Sequence, residues 1–273
     1  MRWPTAWRVG LCLALAVLVG GAAILLAGLP FWAAALIALL LVCPAVLVWG
    51  YVMGMRPLPF PLGPAPATRG VTLGWLAPYY DDLCWAFGIG PSFRDRTLAI
   101  AGLKRGERVL DVGCGTGILT RRAAAIVGSD GSALGIDPAP DMIRIALQAA
   151  AAEASAARFE LGAIENIPLG PDSVDVALVS FVLHCLPGDL KQSGLHEVRR
   201  VLRPGGRILV VDLDRPQGLL PRLLARLALR HPFMAAHLEG RTPDLLREAG
   251  FVRIAKPKTW HGLAAFWTAE KPT

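Results

Sequence analysis

Alternate glycines behind a carboxylate are the clearest chemical signal in this chain. They stand in Val109-Leu-Asp-Val-Gly-Cys-Gly-Thr-Gly117, where Asp111 lies two residues ahead of Gly113, Gly115 and Gly117. The apolar residues around Asp111 read as the end of a buried strand, and a helical run, Ile118 to Val127, opens directly after the last glycine. Glycines so placed let the backbone turn sharply and approach a ligand, because no Cβ intervenes. The third glycine comes one residue earlier than in the usual dinucleotide fingerprint. A carboxylate at Asp111 also repels a pyrophosphate, yet accepts hydrogen bonds from an ammonium group. The pattern points to S-adenosylmethionine (SAM), which has an amino-acid end and no phosphate. Asp137 closes the next apolar strand, 20 residues after Gly117, where a carboxylate can accept from both ribose hydroxyls. A helix cap is the plainer role for Asp137, although Asp141 is also available for capping.

A second group could move protons. His184 follows the apolar run Val174–Ser180, and an imidazole with an unperturbed pKa of about 6.5 suits a general base. The competing reading is a structural histidine bonded to a loop carbonyl. Five cysteines (Cys12, Cys43, Cys84, Cys114, Cys185) show no CxxC pair. Their scatter argues against a disulfide framework or a zinc site and fits a reducing compartment. Thiol chemistry on arsenic lacks paired spacing as well, and Cys114 reads as a small filler within the glycine loop.

These residues need a frame that brings them together. Strands are predicted at Arg108–Val112, Ala133–Ile136, Phe159–Leu161, Val174–Ser180 and Arg207–Asp212, with helices at Ile118–Val127, Asp141–Ala157 and Lys191–Leu202 between them. Unbroken apolar strands alternating with helices imply a mainly parallel α/β sheet covered on both faces. A helix over Thr242–Ala249 and strands at Phe251–Ala255 and Leu263–Ala269 would add an antiparallel edge.

The charge balance of +7 is not one basic patch. The first 80 of the 273 residues hold four arginines and no acid, whereas 24 basic and 21 acidic residues follow. No cluster of Lys/Arg with interleaved aromatics precedes the C-terminal third, so no nucleic-acid partner is expected. Val9 to Met55 is uncharged and divides at Gly28-Leu-Pro30 into two apolar segments. As helices each would be about 30 Å long or more, enough to cross a bilayer core. Residues 1–56 therefore read as a transmembrane hairpin, with a signal peptide as the weaker alternative because the apolar run is too long. Arg2, Arg8 and Arg56 place both ends in the cytoplasm. The expectation is a multi-pass cell-membrane protein whose domain faces the cytoplasm. Five prolines between Pro57 and Pro66 mark a stiff linker over 57–74, and a single domain is expected over 75–273. Trp75 to Phe93 is rich in aromatics and reads as a helix on the sheet or as a lid over a sulfonium. In Leu219–Arg230, leucines and arginines separate onto two helical faces, for a helix lying either on the sheet or on a membrane surface.

From about Tyr79 to Pro216 the chain resembles the class I SAM-dependent methyltransferases, most of all the ubiquinone/menaquinone-biosynthesis C-methyltransferases and their lipid-methylating relatives. The resemblance rests on Phe87-Gly-Ile89, the Val109–Gly117 stretch, Gly135-Ile-Asp137, Glu165-Asn-Ile-Pro-Leu169, Asp175 with Ser180-Phe181, and Val201-Leu-Arg-Pro-Gly-Gly-Arg207. It implies a Rossmann-like domain in which the loop Gly113, Cys114, Gly115, Thr116 and Gly117, together with Asp137, Ala163, Ile164 and Ser180, contacts SAM. Asp111 would hold the amino end. Two departures stand out. Many relatives carry Asp or Asn where this chain has Ala163, so a hydrogen bond to the adenine amino group is missing here. The quinone-methylating members place a polar, basic residue after Ser-Phe-Gly, where this chain has Val182-Leu-His184-Cys185. A lipophilic acceptor is expected, either a quinone precursor or a phospholipid amine head group. The alternative is a SAM-binding membrane protein without transferase activity.

Overall fold

In a computed structural model, residues 58–218, 222 and 238–273 are described. Seven strands form one sheet in the order β3-β2-β1-β4-β5-β7-β6. They are β1 (Arg108–Val112), β2 (Ser132–Asp137), β3 (Arg158–Leu161), β4 (Val174–Ser180), β5 (Leu202–Leu213), β6 (Val252–Trp260) and β7 (Ala264–Glu270). The helices are α1 (Tyr80–Ala86), α2 (Pro91–Ala101), α3 (Ile118–Val127), α4 (Pro140–Ala152), α5 (Gly188–Val201) and α6 (Thr242–Glu248). The first five strands are mutually parallel, and β7 runs antiparallel to both β5 and β6. This is the expected Rossmann-like α/β fold with its antiparallel edge.

Side-chain alternation shows why the sheet is covered twice. Leu110, Ala177, Val179, Ile208 and Val210 point into a core closed by α5 and α6 through Leu195, Val198 and Leu246. Their neighbours Val109, Val176, Leu178, Leu209 and Val211 point the other way, onto Phe93 of α2, Leu119 of α3 and Ile143 of α4. Each large apolar side chain buried in this way contributes roughly 1.5–3 kcal/mol. Proline sets the start of α2 and α4, since Pro91 and Pro140 occupy their first turns. The β1 strand pairs with β2 on one side and β4 on the other. That reversal of strand order is a topological switch point, where α/β sheets open a crevice beyond their carboxyl ends.

Three sequence expectations need correction. The aromatic stretch is not one helix: it breaks into a short 3-10 turn at Gly74–Leu76, then α1, then the start of α2. Trp75, Trp85 and Phe87 are largely exposed, whereas Phe93 is buried under the sheet. β5 begins five residues early because its Pro204-Gly-Gly206 segment bulges between two register-matched portions. The third concerns the membrane. Among the described residues no helix is long and apolar enough to cross a bilayer, so the multi-pass, cytoplasm-facing placement is withdrawn. The segments that prompted it, within residues 1–56, lie outside the described residues, as does nearly all of Leu219–Arg230.

Candidate active site

A cleft opens at the switch point. Its wall includes the glycine turn after β1 and the turn after β4. Gly113 has φ +67°, and a Cβ there would sit 2.4 Å from Val182 Cγ2. Only glycine lets these two turns meet. The Cys114 N–H donates to the Ile136 carbonyl at 2.9 Å, which ties the loop to the end of β2.

Asp137 stands at that strand end with its carboxylate already oriented. Oδ2 accepts the Gly115 N–H at 3.0 Å and Oδ1 accepts the Ala139 N–H at 2.9 Å. Burial pushes its pKa up to about 6, against the lowering effect of those two N–H groups. Each carboxylate oxygen keeps a lone pair for an outside donor, so the pair of oxygens matches the vicinal diol of a ribose. Ala163 and Ile164 form an apolar wall with Met142. Tyr80 closes the cleft above Gly115 and, of the six aromatic residues between Trp75 and Phe93, is the one on its wall. The residues present therefore fit an adenosyl ligand.

Of the sequence-derived positions, Gly113, Gly115, Asp137, Ala163 and Ile164 line the cleft. Asp111, Cys114, Thr116, Gly117, Ser180 and His184 are not among its wall residues. Asp111 is fully buried and accepts the Thr120 hydroxyl at 2.6 Å, an anchor between β1 and α3. Burial lifts its pKa to about 7, while Thr120 lowers it and the nearby Asp137 carboxylate raises it. The Thr116 hydroxyl donates to Asp81 Oδ1 at 2.5 Å, holding α1 against the glycine turn.

The turn after β4 carries a strained residue. Phe181 has φ +57°, a conformation rarely adopted outside glycine and costly enough to mark functional positions. Its N–H is fixed to the Val211 carbonyl at 2.7 Å, and the turn sends Phe181, Val182 and Cys185 to the cleft wall. His184 lies between them, with Nδ1 2.8 Å from Asp212 Oδ1. Burial favours the neutral imidazole, but the Asp212 carboxylate outweighs it and raises the His184 pKa to about 10. The Asp212 carboxylate therefore favours the protonated form of this ring.

Asp212 was not anticipated from the sequence, although a signal was present: it ends the apolar run Ile208–Val211 as Asp137 ends its own strand. Thr68 and Gly70 to Leu73 were also missed as wall residues. The Val71 N–H donates to the Cys185 carbonyl at 2.9 Å, a contact that no periodicity in a proline-rich stretch announces.

A strand order reversing at β1, a glycine turn beyond it and a carboxylate at the tip of β2 define the class I methyltransferase fold. A methyltransferase-domain family model matches residues 109–206. The chain is 31% identical over 202 residues to the ubiquinone/menaquinone biosynthesis C-methyltransferase UbiE of Ectopseudomonas mendocina (strain ymp), covering 64% of this chain and 77% of that protein. It belongs to the class I SAM-dependent methyltransferases, within the ubiquinone/menaquinone-biosynthesis C-methyltransferase family. It is also 39% identical over 116 residues to an arsenite methyltransferase of Halobacterium salinarum, covering 42% of this chain and 29% of that protein. The first curated relatives it matches are spanned over 29% to 64% of their own length. Among solved structures, Haemonchus contortus phosphoethanolamine N-methyltransferase 2 in complex with SAM shares the fold, with a TM-score of 0.56 at 17% identity over 67% of this chain and 53% of that one.

Proposed function

We propose that this chain transfers a methyl group from SAM to a lipophilic, quinone-type ring. The observation that carries the reading is the prearranged Asp137 carboxylate facing an apolar-walled cleft; relatives named for ubiquinone and menaquinone biosynthesis support the acceptor class. Bound there, SAM supplies a methyl group carried on a sulfonium. Asp137 holds the ribose, Gly113 and Gly115 admit the backbone to close range, and Ala163 with Ile164 sandwiches the adenine. Asp111, Cys114, Thr116, Gly117 and Ser180 shape the turns from behind. The working unit is residues 75–273, with residues 57–74 leading into it and the cleft wall drawing on their last residues. Positioning supplies most of the rate, since an in-line displacement needs alignment above all. The test is a labelled-methyl assay on quinone extracts, followed by mass spectrometry of lipids and quinones with and without the gene. Accumulation of a quinone one methyl group lighter is expected; an unchanged quinone profile with no label transferred refutes the acceptor class.

Two further results are expected here. Affinity for S-adenosylhomocysteine should be steady at neutral pH and fall by up to about tenfold per pH unit below pH 6, because ribose donors need Asp137 ionised. Titration calorimetry from pH 7 to pH 5 measures this, and a flat profile removes Asp137 from ribose recognition. Replacing Ala163 with Asn restores an acceptor for the adenine amino group. One added hydrogen bond of about 1 kcal/mol predicts roughly fivefold tighter binding; unchanged or weaker binding would put the adenine edge elsewhere.

A further inference from the structure

We propose that residues 68–73 are a strap that gates the cofactor cleft, so that SAM enters and S-adenosylhomocysteine leaves only while this segment is lifted. This rests on the methyltransferase reading above and adds a moving part to the same site. Thr68, Gly70, Val71, Thr72 and Leu73 all line the cleft that Asp137 lines. They belong to neither a helix nor a strand.

The strap joins two parts of the cleft wall. At its downstream end Leu73 packs against a small cluster of Ala77, Ala139, Met142 and Ile145, beyond the tip of β2. Two residues back, the Val71 N–H donates to the Cys185 carbonyl at 2.9 Å, beyond the tip of β4. Next to it, a Cβ on Gly70 would lie 2.8 Å from Leu186 Cδ2, so the chain is pressed closely onto that turn. In the sheet β1 lies between β2 and β4. The segment therefore spans the carboxyl end of β1, where the glycine turn and the ligand meet.

Its hold is light. Val71 is 42% exposed. Among the described residues, Val71 makes the backbone hydrogen bond that ties residues 68–72 to the rest of the domain. The Gly70 N–H instead turns back to Thr68 Oγ1 at 3.0 Å. Arg69 pairs with Asp189, but both side chains are exposed, and such pairs contribute little. The flanks are better held. Leu62 packs against the core beneath α3 and α4, and the 3-10 turn Gly74–Leu76 follows Leu73. Residues 63–67 are mostly exposed, so the span between Leu62 and Leu73 can lift without unpacking the sheet. A bound ligand gains the strap's share of the wall only when the strap is down, so binding shifts the population towards closure. Closing segments of this kind can set the pace of product release.

The test uses the full chain and S-adenosylhomocysteine. Val71→Pro removes the tying N–H, and Gly70→Val drives a branched side chain towards Leu186. Stopped-flow mixing should show association and dissociation rate constants both rising about fivefold in each variant. The association rate decides the matter, because losing a wall contact speeds departure and does not speed entry. Association that is unchanged or slower in both variants overturns the gate and leaves the methyltransferase reading intact. Failure of the parent chain to bind S-adenosylhomocysteine overturns both. The parent chain also gives a readout that needs no variant. Trypsin cleavage after the exposed Arg69 should slow about fivefold or more when S-adenosylhomocysteine is saturating. Equal cleavage with and without it overturns the proposal.

Discussion

Asp137→Ala should abolish measurable S-adenosylhomocysteine binding while leaving a folded chain. On the ligand side it removes an ionised acceptor for two ribose hydroxyls. Each hydrogen bond to a charged group is worth about 1.5–3 kcal/mol, so two together predict a loss between about a hundredfold and ten-thousandfold. On the protein side the same carboxylate satisfies the Gly115 and Ala139 N–H groups. Their release lets the glycine turn drift from the end of β2 and adds to the loss. Asp137→Asn separates the two effects, since its single amide oxygen keeps part of the network; an intermediate affinity is expected. Asp111→Ala is the useful contrast. Asp111 touches Thr120 behind the turn and is absent from the cleft wall, so its removal should cost stability more than affinity. Calorimetry and thermal unfolding on all three variants measure these terms, and near-native affinity in Asp137→Ala would sink the site as described.

The sequence carried those parts of the fold that depend on neighbours along the chain. Buried parallel strands read as apolar runs because both of their faces are covered, and β1 and β4 fall where Arg108–Val112 and Val174–Ser180 predict. Glycines were legible because the turn after β1 requires them. What depends on strand order was harder to see. β6 is an outer strand, and Pro257 within it is tolerated because that edge needs no ladder donor at every residue. Local patterning also could not foresee that Trp75, Trp85 and Phe87 face outward while Tyr80 alone of that stretch reaches the cleft. Asp212 and His184 lie 28 residues apart and meet only because β4 and β5 pair in register. A histidine read in isolation suits a base; with Asp212 beside it the ring is held toward its protonated form. The same logic applies to Thr116, whose hydroxyl is engaged by Asp81 from α1, a helix no motif links to the loop.

Gly117→Ala should be the most destabilising single methyl in the domain. Gly117 precedes α3 with φ +74°, and a Cβ there would lie 2.4 and 2.6 Å from the Phe159 ring and 2.9 Å from Ala146 Cβ. Two penalties add. The left-handed backbone costs a non-glycine residue about 1–2 kcal/mol, and forcing a methyl into this packed seam costs about 1–3 kcal/mol more. A total of about 2–5 kcal/mol is a large part of the roughly 5–15 kcal/mol that holds a domain folded. It should lower the unfolding midpoint by roughly 5–20 °C. Gly115→Ala isolates the backbone share, because at φ +54° its Cβ would meet only the Tyr80 ring, at 3.4 and 3.9 Å. Phe159→Leu, made alongside Gly117→Ala, should recover part of the packing share and none of the backbone share. Neighbouring substitutions that share a contact are coupled rather than additive, so a double-mutant cycle should return a favourable interaction of about 1 kcal/mol or more. If Gly117→Ala costs no more than Gly115→Ala, or if the cycle closes at zero, the glycine at this position answers to backbone freedom alone. The close packing of β3 and α4 against the turn would then not be what holds the cofactor loop in shape.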